Sequence, residues 1–131
     1  MTKRIRKNED GQALVEFALL APILFLVLFG IIQFGIAFKD SMALTDAVRT
    51  GARQATVSRS LGDPVGATKS AVVGAASDLD TSKLNVTVTA PPWQPGATVT
   101  VTATYPYKIN ILGIVVASGD LHSSTTERVE Y

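Results

Sequence analysis

From Ala18 to Phe38 the chain runs through twenty-one residues of which only Gln33 is polar. At 1.5 Å per residue such a helix is about 31 Å long, close to the ~30 Å hydrocarbon thickness of a bilayer. The pattern predicts a membrane-spanning helix. It outruns the apolar region of about 7–15 residues found in secretory signal peptides. Ser41-Met42-Ala43 has the small–x–small form of a signal-peptidase site, but it follows Lys39 and Asp40 after too long a run. All five phenylalanines (Phe17, Phe25, Phe29, Phe34 and Phe38) lie in or beside this segment, where lipid contact accounts for most of them. Pro22 removes one backbone donor, which membrane helices tolerate. Gly30 and Gly35 are five apart and do not form a Gly-xxx-Gly pair.

From Lys39 to about Ser60 the period changes. Leu44, Ala47, Val48, Gly51, Ala52 and Ala55 form a helical stripe made mostly of small residues. Ala47, Gly51 and Ala55 recur every fourth residue and allow another element to approach closely. The favoured occupant is the domain's own sheet, with a subunit interface as the alternative. One helix from Gln12 to about Ser58 would be about 70 Å long. Leu61-Gly62-Asp63-Pro64 ends it and starts a second helix, with Asp63 as N-cap and Pro64 as first helical residue. That helix should run to Ser77 and bury Val65, Ala71, Val72 and Ala75, with a loop from Asp78 to Lys83.

Beyond it the period becomes two. Leu84–Ala90 and Thr98–Tyr105 alternate a Val/Ala/Leu face with a threonine face, the pattern of strands. Pro91-Pro92-Trp93-Gln94-Pro95-Gly96 joins them as a hairpin loop, with Trp93 either offered to a partner or folded back. Pro106 is expected to interrupt the second strand. Ile109–Ala117 reads as an apolar connector that covers the sheet or touches the membrane surface, and Asp120–Tyr131 as a final strand. The expected fold class is α+β: a long N-terminal helix that spans the membrane and then becomes amphipathic, a short second helix, and a small antiparallel sheet packed on the helices.

Charge gives this arrangement a direction. Lys3, Arg4, Arg6 and Lys7 precede the apolar run against Glu9 and Asp10, whereas eight Lys/Arg balance eight Asp/Glu from Lys39 onward. The basic end should stay cytoplasmic, with residues 39–131 outside the membrane. The balanced outer domain gives no reason to invoke nucleic acid. With no cysteine, the domain must rely on its core or on neighbouring subunits.

Glu16 does not belong to an ordinary anchor. A charged group at the bilayer centre costs about 2.5–3.5 kcal/mol on insertion scales, so such residues usually have a partner. A carboxylate reaching up to the headgroups is the plain alternative. Its surroundings read Gly11-Gln12-Ala13-Leu14-Val15-Glu16-Phe17, directly after the basic stretch. This resembles the processing site of type IV prepilins: a short basic leader, a glycine before the cut, and Glu-Phe at the fifth and sixth mature positions. Gln12 through Pro22, with the later Gly51-Ala52-Arg53, is most similar to TadE-like pseudopilins of tight-adherence (Tad/Flp) pili. The resemblance covers about the first half of the chain. It implies that residues 1–11 are a leader, that a prepilin peptidase cuts between Gly11 and Gln12, and that Glu16 and Phe17 serve recognition and assembly. It also implies residues 12–38 as the assembly helix, and as partners the membrane, the peptidase, other pilin or pseudopilin subunits and the pilus assembly platform. The chain is larger than a major Flp pilin, which favours a minor component.

Enzymatic chemistry has no candidate. Gly62-Asp63-Pro64-Val65-Gly66-Ala67-Thr68-Lys69-Ser70 fails the phosphate-loop spacing, which needs glycine at Ala67 and lysine at Thr68. His122 is the only histidine, which excludes a multi-histidine metal site or a triad based on a second one. Asp78 and Asp80 lack the further ligands of a calcium loop. No catalytic residue, metal, cofactor or small-molecule substrate is expected. The competing reading is an uncleaved single-pass anchor whose outer domain binds a protein partner.

Overall fold

The computed structural model describes residues 9–89 and 93–130. The basic leader up to residue 8, loop residues 90–92 and the last residue of the expected final strand lie outside that range. Helix α1, Glu9–Val57, is unbroken over 49 residues and contains Pro22. A 3₁₀ turn, Ser58–Ser60, closes it. Helix α2, Pro64–Ala75, starts as the sequence dictates: the Asp63 carboxylate accepts from the Gly66 amide at 2.9 Å, and Pro64 stands where no donor is required. A second 3₁₀ turn, Thr81–Lys83, leads into strands β1 (Asn85–Thr89), β2 (Thr98–Ile111) and β3 (Ile114–Arg128). The three form one antiparallel sheet in the order β1-β2-β3. The class is α+β.

The core lies where this sheet meets one face of α1. Leu44, Val48, Ala52 and Ala55 pack with Val99, Val101 and Ala103 of β2, Val129, and Val72, Ala76 and Leu79 on and beyond α2. Ala47 and Gly51 are buried as well. At Gly51 it is α2 that comes close: a Cβ there would overlap Val72 Cγ2 and sit 3.4 Å from the Thr68 carbonyl oxygen. The small-residue stripe is therefore filled within the chain, by α2 as well as by the sheet. Buried Ser58 and Thr68 are both satisfied, donating to the carbonyls of Gln54 (2.6 Å) and Pro64 (2.8 Å). Trp93 is half-buried against this core and not held out at a tip.

Four boundaries differ from the sequence expectation. Helix α2 ends at Ala75, which is exposed, while Thr68 and Ala76 take buried places. Pro106 does not interrupt β2, which continues to Ile111. It falls two residues past the last β1 pairing, Asn85↔Thr104, where β2 has an open edge and proline is tolerated. Ile109–Ala117 is not a connector but the end of a β2–β3 hairpin, whose pairs Ile109↔Ala117 and Ile111↔Ile114 flank a two-residue turn. The last strand consequently begins at Ile114, six residues before the expected Asp120.

Gly51→Ala should destabilise the domain although alanine is the better helix former. Overpacking costs about 1–3 kcal/mol against about 1 kcal/mol gained in propensity. The expected thermal unfolding of the full chain in micelles is a lowered Tm for Gly51→Ala, with Gly51→Ala/Val72→Ala more stable than the sum of the single losses. Simple additivity would show that the two side chains do not compete for this space.

Candidate functional site

The functional candidates of the sequence fall at the two ends of α1. Gly11, Gln12, Glu16 and Phe17 lie in its first turns, with Gln12, Glu16 and Phe17 exposed. Ala47, Gly51 and Ala55 lie about 50 Å further along the axis, in the core. The structure does not bring the two groups together. The first group is open to whatever surrounds the chain; the second already has its occupant.

Within the first group, one interaction orients the carboxylate. The Gln12 side-chain amide donates to Glu16 Oε1 at 3.1 Å, an i,i+4 contact on one helix face. Helical side chains lean towards the N-terminus, so Glu16 reaches back over the turn that begins with Gln12. Around it the surface is apolar: Leu14, Val15, Phe17, Leu19 and Leu20 are all exposed. A shallow apolar groove runs on from Phe17 along Leu20, Ala21, Ile23, Leu24 and Val27. By length and composition α1 can cross a membrane, and no residue of its most apolar stretch is fully buried. It is a candidate membrane anchor.

A second feature sits halfway along α1. The β2–β3 ribbon continues past the end of β1 and runs down the helix towards its N-terminus, bringing Ile111 Cδ1 to Gly30, 4.0 Å from where a Cβ would stand. Gly30, Gln33, Ala37 and Ser41 are half-buried while Ile31, Ile32, Phe34 and Phe38 stay exposed. With buried Leu44 these form one face at three- and four-residue spacing, so the core's face extends into the apolar run. Gln33, the lone polar residue there, lies on that face. Phe34, Ala37, Phe38 and Ser41 meet Tyr107, Ile109, Ala117 and Leu121 across a groove. Gly119 makes room for Tyr107, its cross-strand partner, whose ring lies against it. Sequence reasoning missed this contact; its only signals were the small residues at 30, 37 and 41 and the apolar run at 109–117.

Charged groups beyond the apolar run are local and exposed. Lys39 meets Asp78 at 3.7 Å and Arg49 meets Asp46 at 3.9 Å, pairs that contribute little in water. Asp80 is better held, accepting from the Ser82 hydroxyl at 2.6 Å and the Ser82 amide at 3.1 Å and pairing with Lys83 at 2.9 Å. These bonds, the Ser82 hydroxyl first, lower its pKa from 3.8 to about 2. On the opposite face of the sheet from the helices, Thr100–Thr126 and Thr102–Ser124 hydroxyl pairs bridge β2 and β3 at 2.9 and 3.0 Å. His122 lies on that face opposite Thr104. Among the described residues no group of three or more His, Cys, Asp or Glu could hold a metal ion.

Residues 11–53 match the family model described as TadE-like protein. Over that span, about a third of the chain, it is similar to that family. The match runs from the glycine before Gln12 through Glu16, Phe17 and the whole apolar run to the Gly51-Ala52-Arg53 segment. It stops short of α2 and the sheet. No curated protein matches the chain. No solved structure matches it either.

The Asp80 geometry has a pH signature. Its folded pKa is depressed, so its contribution to stability is present above the ordinary value of 3.8 and is lost as the pH falls through about 2. In an NMR titration of the full chain in micelles the Asp80 carboxyl should titrate near the lower value, and Ser82→Ala should move it upward. Titration at the ordinary value in the intact chain would mean that the Ser82 bonds do not hold it.

Proposed function

We propose that the chain is a minor pilin, or pseudopilin, of a Tad/Flp-type pilus, cut by a prepilin peptidase after Gly11 and built into the pilus or its assembly machinery for surface attachment. The observation that carries this reading is the TadE-like match beginning at Gly11 and covering a single unbroken helix with Glu16 near its start. The role is structural, and the chain is the peptidase's substrate.

Cleavage would change the surroundings of Glu16 in two ways. It creates an α-amine on Gln12, cationic at neutral pH with a reference pKa of about 7.7–8.0. It also creates a free helix N-terminus one turn before Glu16, the end at which a negative charge is stabilised. The carboxylate already reaches back to Gln12. In a bundle of such helices, the Glu16 of one subunit meets the new amine of a neighbour. The pair relieves the cost of holding an unpaired carboxylate inside lipid, so docking is favoured in the register that brings the charges together. The long apolar helix then serves first as an inner-membrane anchor, N-terminus cytoplasmic, and later as the packing element of the assembly.

The N-terminal mass of protein purified from its own host tests the reading. A chain beginning at Gln12 is expected, with Gly11→Leu accumulating the uncut precursor. An intact leader in cells that hold the peptidase would favour the uncleaved anchor instead. Glu16→Val should impair processing or pilus formation; if both remain intact, Glu16 has no such role.

A further inference from the structure

The end of the β2–β3 hairpin has the wrong surface for water. Leu112, Ile114, Val115 and Val116 are each more than half exposed, at 71, 69, 53 and 56%. The alternation that gives the rest of β3 a polar face is missing here: Ile114 to Ala117 is apolar on both faces. A strand apolar on both sides is normally covered on both sides. Within the chain this one is not.

The turn adds an independent observation. Leu112 and Gly113 both have positive φ, 52° and 88°, between the paired residues Ile111 and Ile114. Positive φ at both central residues is the mark of a type I′ turn, which prefers Asn-Gly. Leucine in the left-handed region is strained, and asparagine would relieve it. An apolar side chain is thus kept at the outermost point of the hairpin against local backbone preference.

Position along α1 identifies the medium. Ile111 is level with Gly30, eight residues inside the end of the apolar run at Phe38, or about 12 Å below it along the axis. Two elements of the chain thus expose apolar surface at one height. We infer that the hairpin tip, Leu112 with Ile114–Val116, is a second membrane contact that seats among the acyl chains of the outer leaflet beside α1. The unpaired outer edges of the ribbon, together with exposed Asn110 and Lys108, oppose deep entry, since open backbone groups are not satisfied in hydrocarbon. The tip therefore rests just inside the boundary, with the Lys108 ammonium reaching the headgroups and Tyr107 at the level of the interface. Such a foot fixes the depth of the helix. With the outer boundary near Gln33–Phe34, a ~30 Å slab reaches back about twenty residues to Ala13–Leu14, which puts Glu16 inside the hydrocarbon.

This inference rests on α1 being a membrane anchor and not on cleavage after Gly11. The chain has no cysteine, so single cysteines can be introduced and labelled with an environment-sensitive fluorophore without interference. The full chain is reconstituted in phosphatidylcholine vesicles with labels at Val115→Cys, Leu24→Cys and Thr102→Cys, one at a time. Quenching by iodide in water is compared with quenching by lipids carrying a nitroxide at shallow or deep acyl positions. We expect Leu24→Cys to respond to the deep nitroxide and Thr102→Cys to iodide. Val115→Cys should respond to the shallow nitroxide and resist iodide several-fold relative to Thr102→Cys. Adding Leu112→Asn and Ile114→Thr, which remove apolar surface and relax the turn, should return Val115→Cys to iodide. Iodide access at Val115→Cys equal to that at Thr102→Cys, with Leu24→Cys still in lipid, overturns the foot and leaves the anchor standing. Protection from both quenchers that is lost on dilution of the protein in the bilayer would show a second copy covering the tip, and also overturns it. Iodide access at Leu24→Cys would remove the anchor and the foot together.

Discussion

Everything in this molecule depends on one face of one helix. Gly30, Gln33, Ala37, Ser41, Leu44, Val48, Ala52 and Ala55 follow one another at three- and four-residue spacing along α1, and the sheet lies along that line. The upper half forms the core, where burial of apolar side chains supplies the drive to fold. The lower half continues the same seam into residues that otherwise read as pure membrane anchor. Because the helix is continuous from Glu9 to Val57, a single element ties the domain to Glu16.

This tie gives physical sense to the small residues. Gly51 admits Val72 of α2, Gly30 admits Ile111 of the hairpin, and Gly119 lets the Tyr107 ring cross it. Each makes room where two elements approach more closely than a larger side chain would permit. Large side chains on α1 point away from this seam below Ser41 and into it above, at Leu44 and Val48. The boundary between the two behaviours falls where the apolar run gives way to Lys39 and Asp40. The same helix thus presents an open apolar surface below and a core element above, without a break in the helix.

Much of this was legible in the sequence because the periods are clean. The apolar run, the stripe from Leu44 to Ala55, the Asp63-Pro64 start of α2 and the alternating threonine strands each follow from a local rule, and the α+β class follows from their order. What was not legible came from context. Pro106 reads as a strand breaker, yet it lies where β2 has lost its β1 neighbour, so its missing donor does no harm. Ile109–Ala117 hides a hairpin because Leu112-Gly113 is not a recognised turn pair and its flanking strands do not alternate. The end of α2 differed by two residues, and Thr68 took a buried place because its hydroxyl is satisfied by the turn below it. For the candidate site, the Gly11-to-Phe17 pattern could be read directly. The partner of Gly30 could not, since it lies eighty-one residues away in the chain.

The central claim is that Glu16 is an assembly residue whose partner is the amine exposed on Gln12. Carbodiimide coupling tests it most directly, with a hydrophobic reagent that enters the bilayer. Assembled protein is prepared from two isotopically distinct populations and mapped by mass spectrometry. The account predicts an amide bond joining the Gln12 amine of one chain to the Glu16 carboxylate of another, lost in Gly11→Leu. Assembled, processed protein in which Glu16 couples to no amine while exposed carboxylates such as Asp46 react would contradict it.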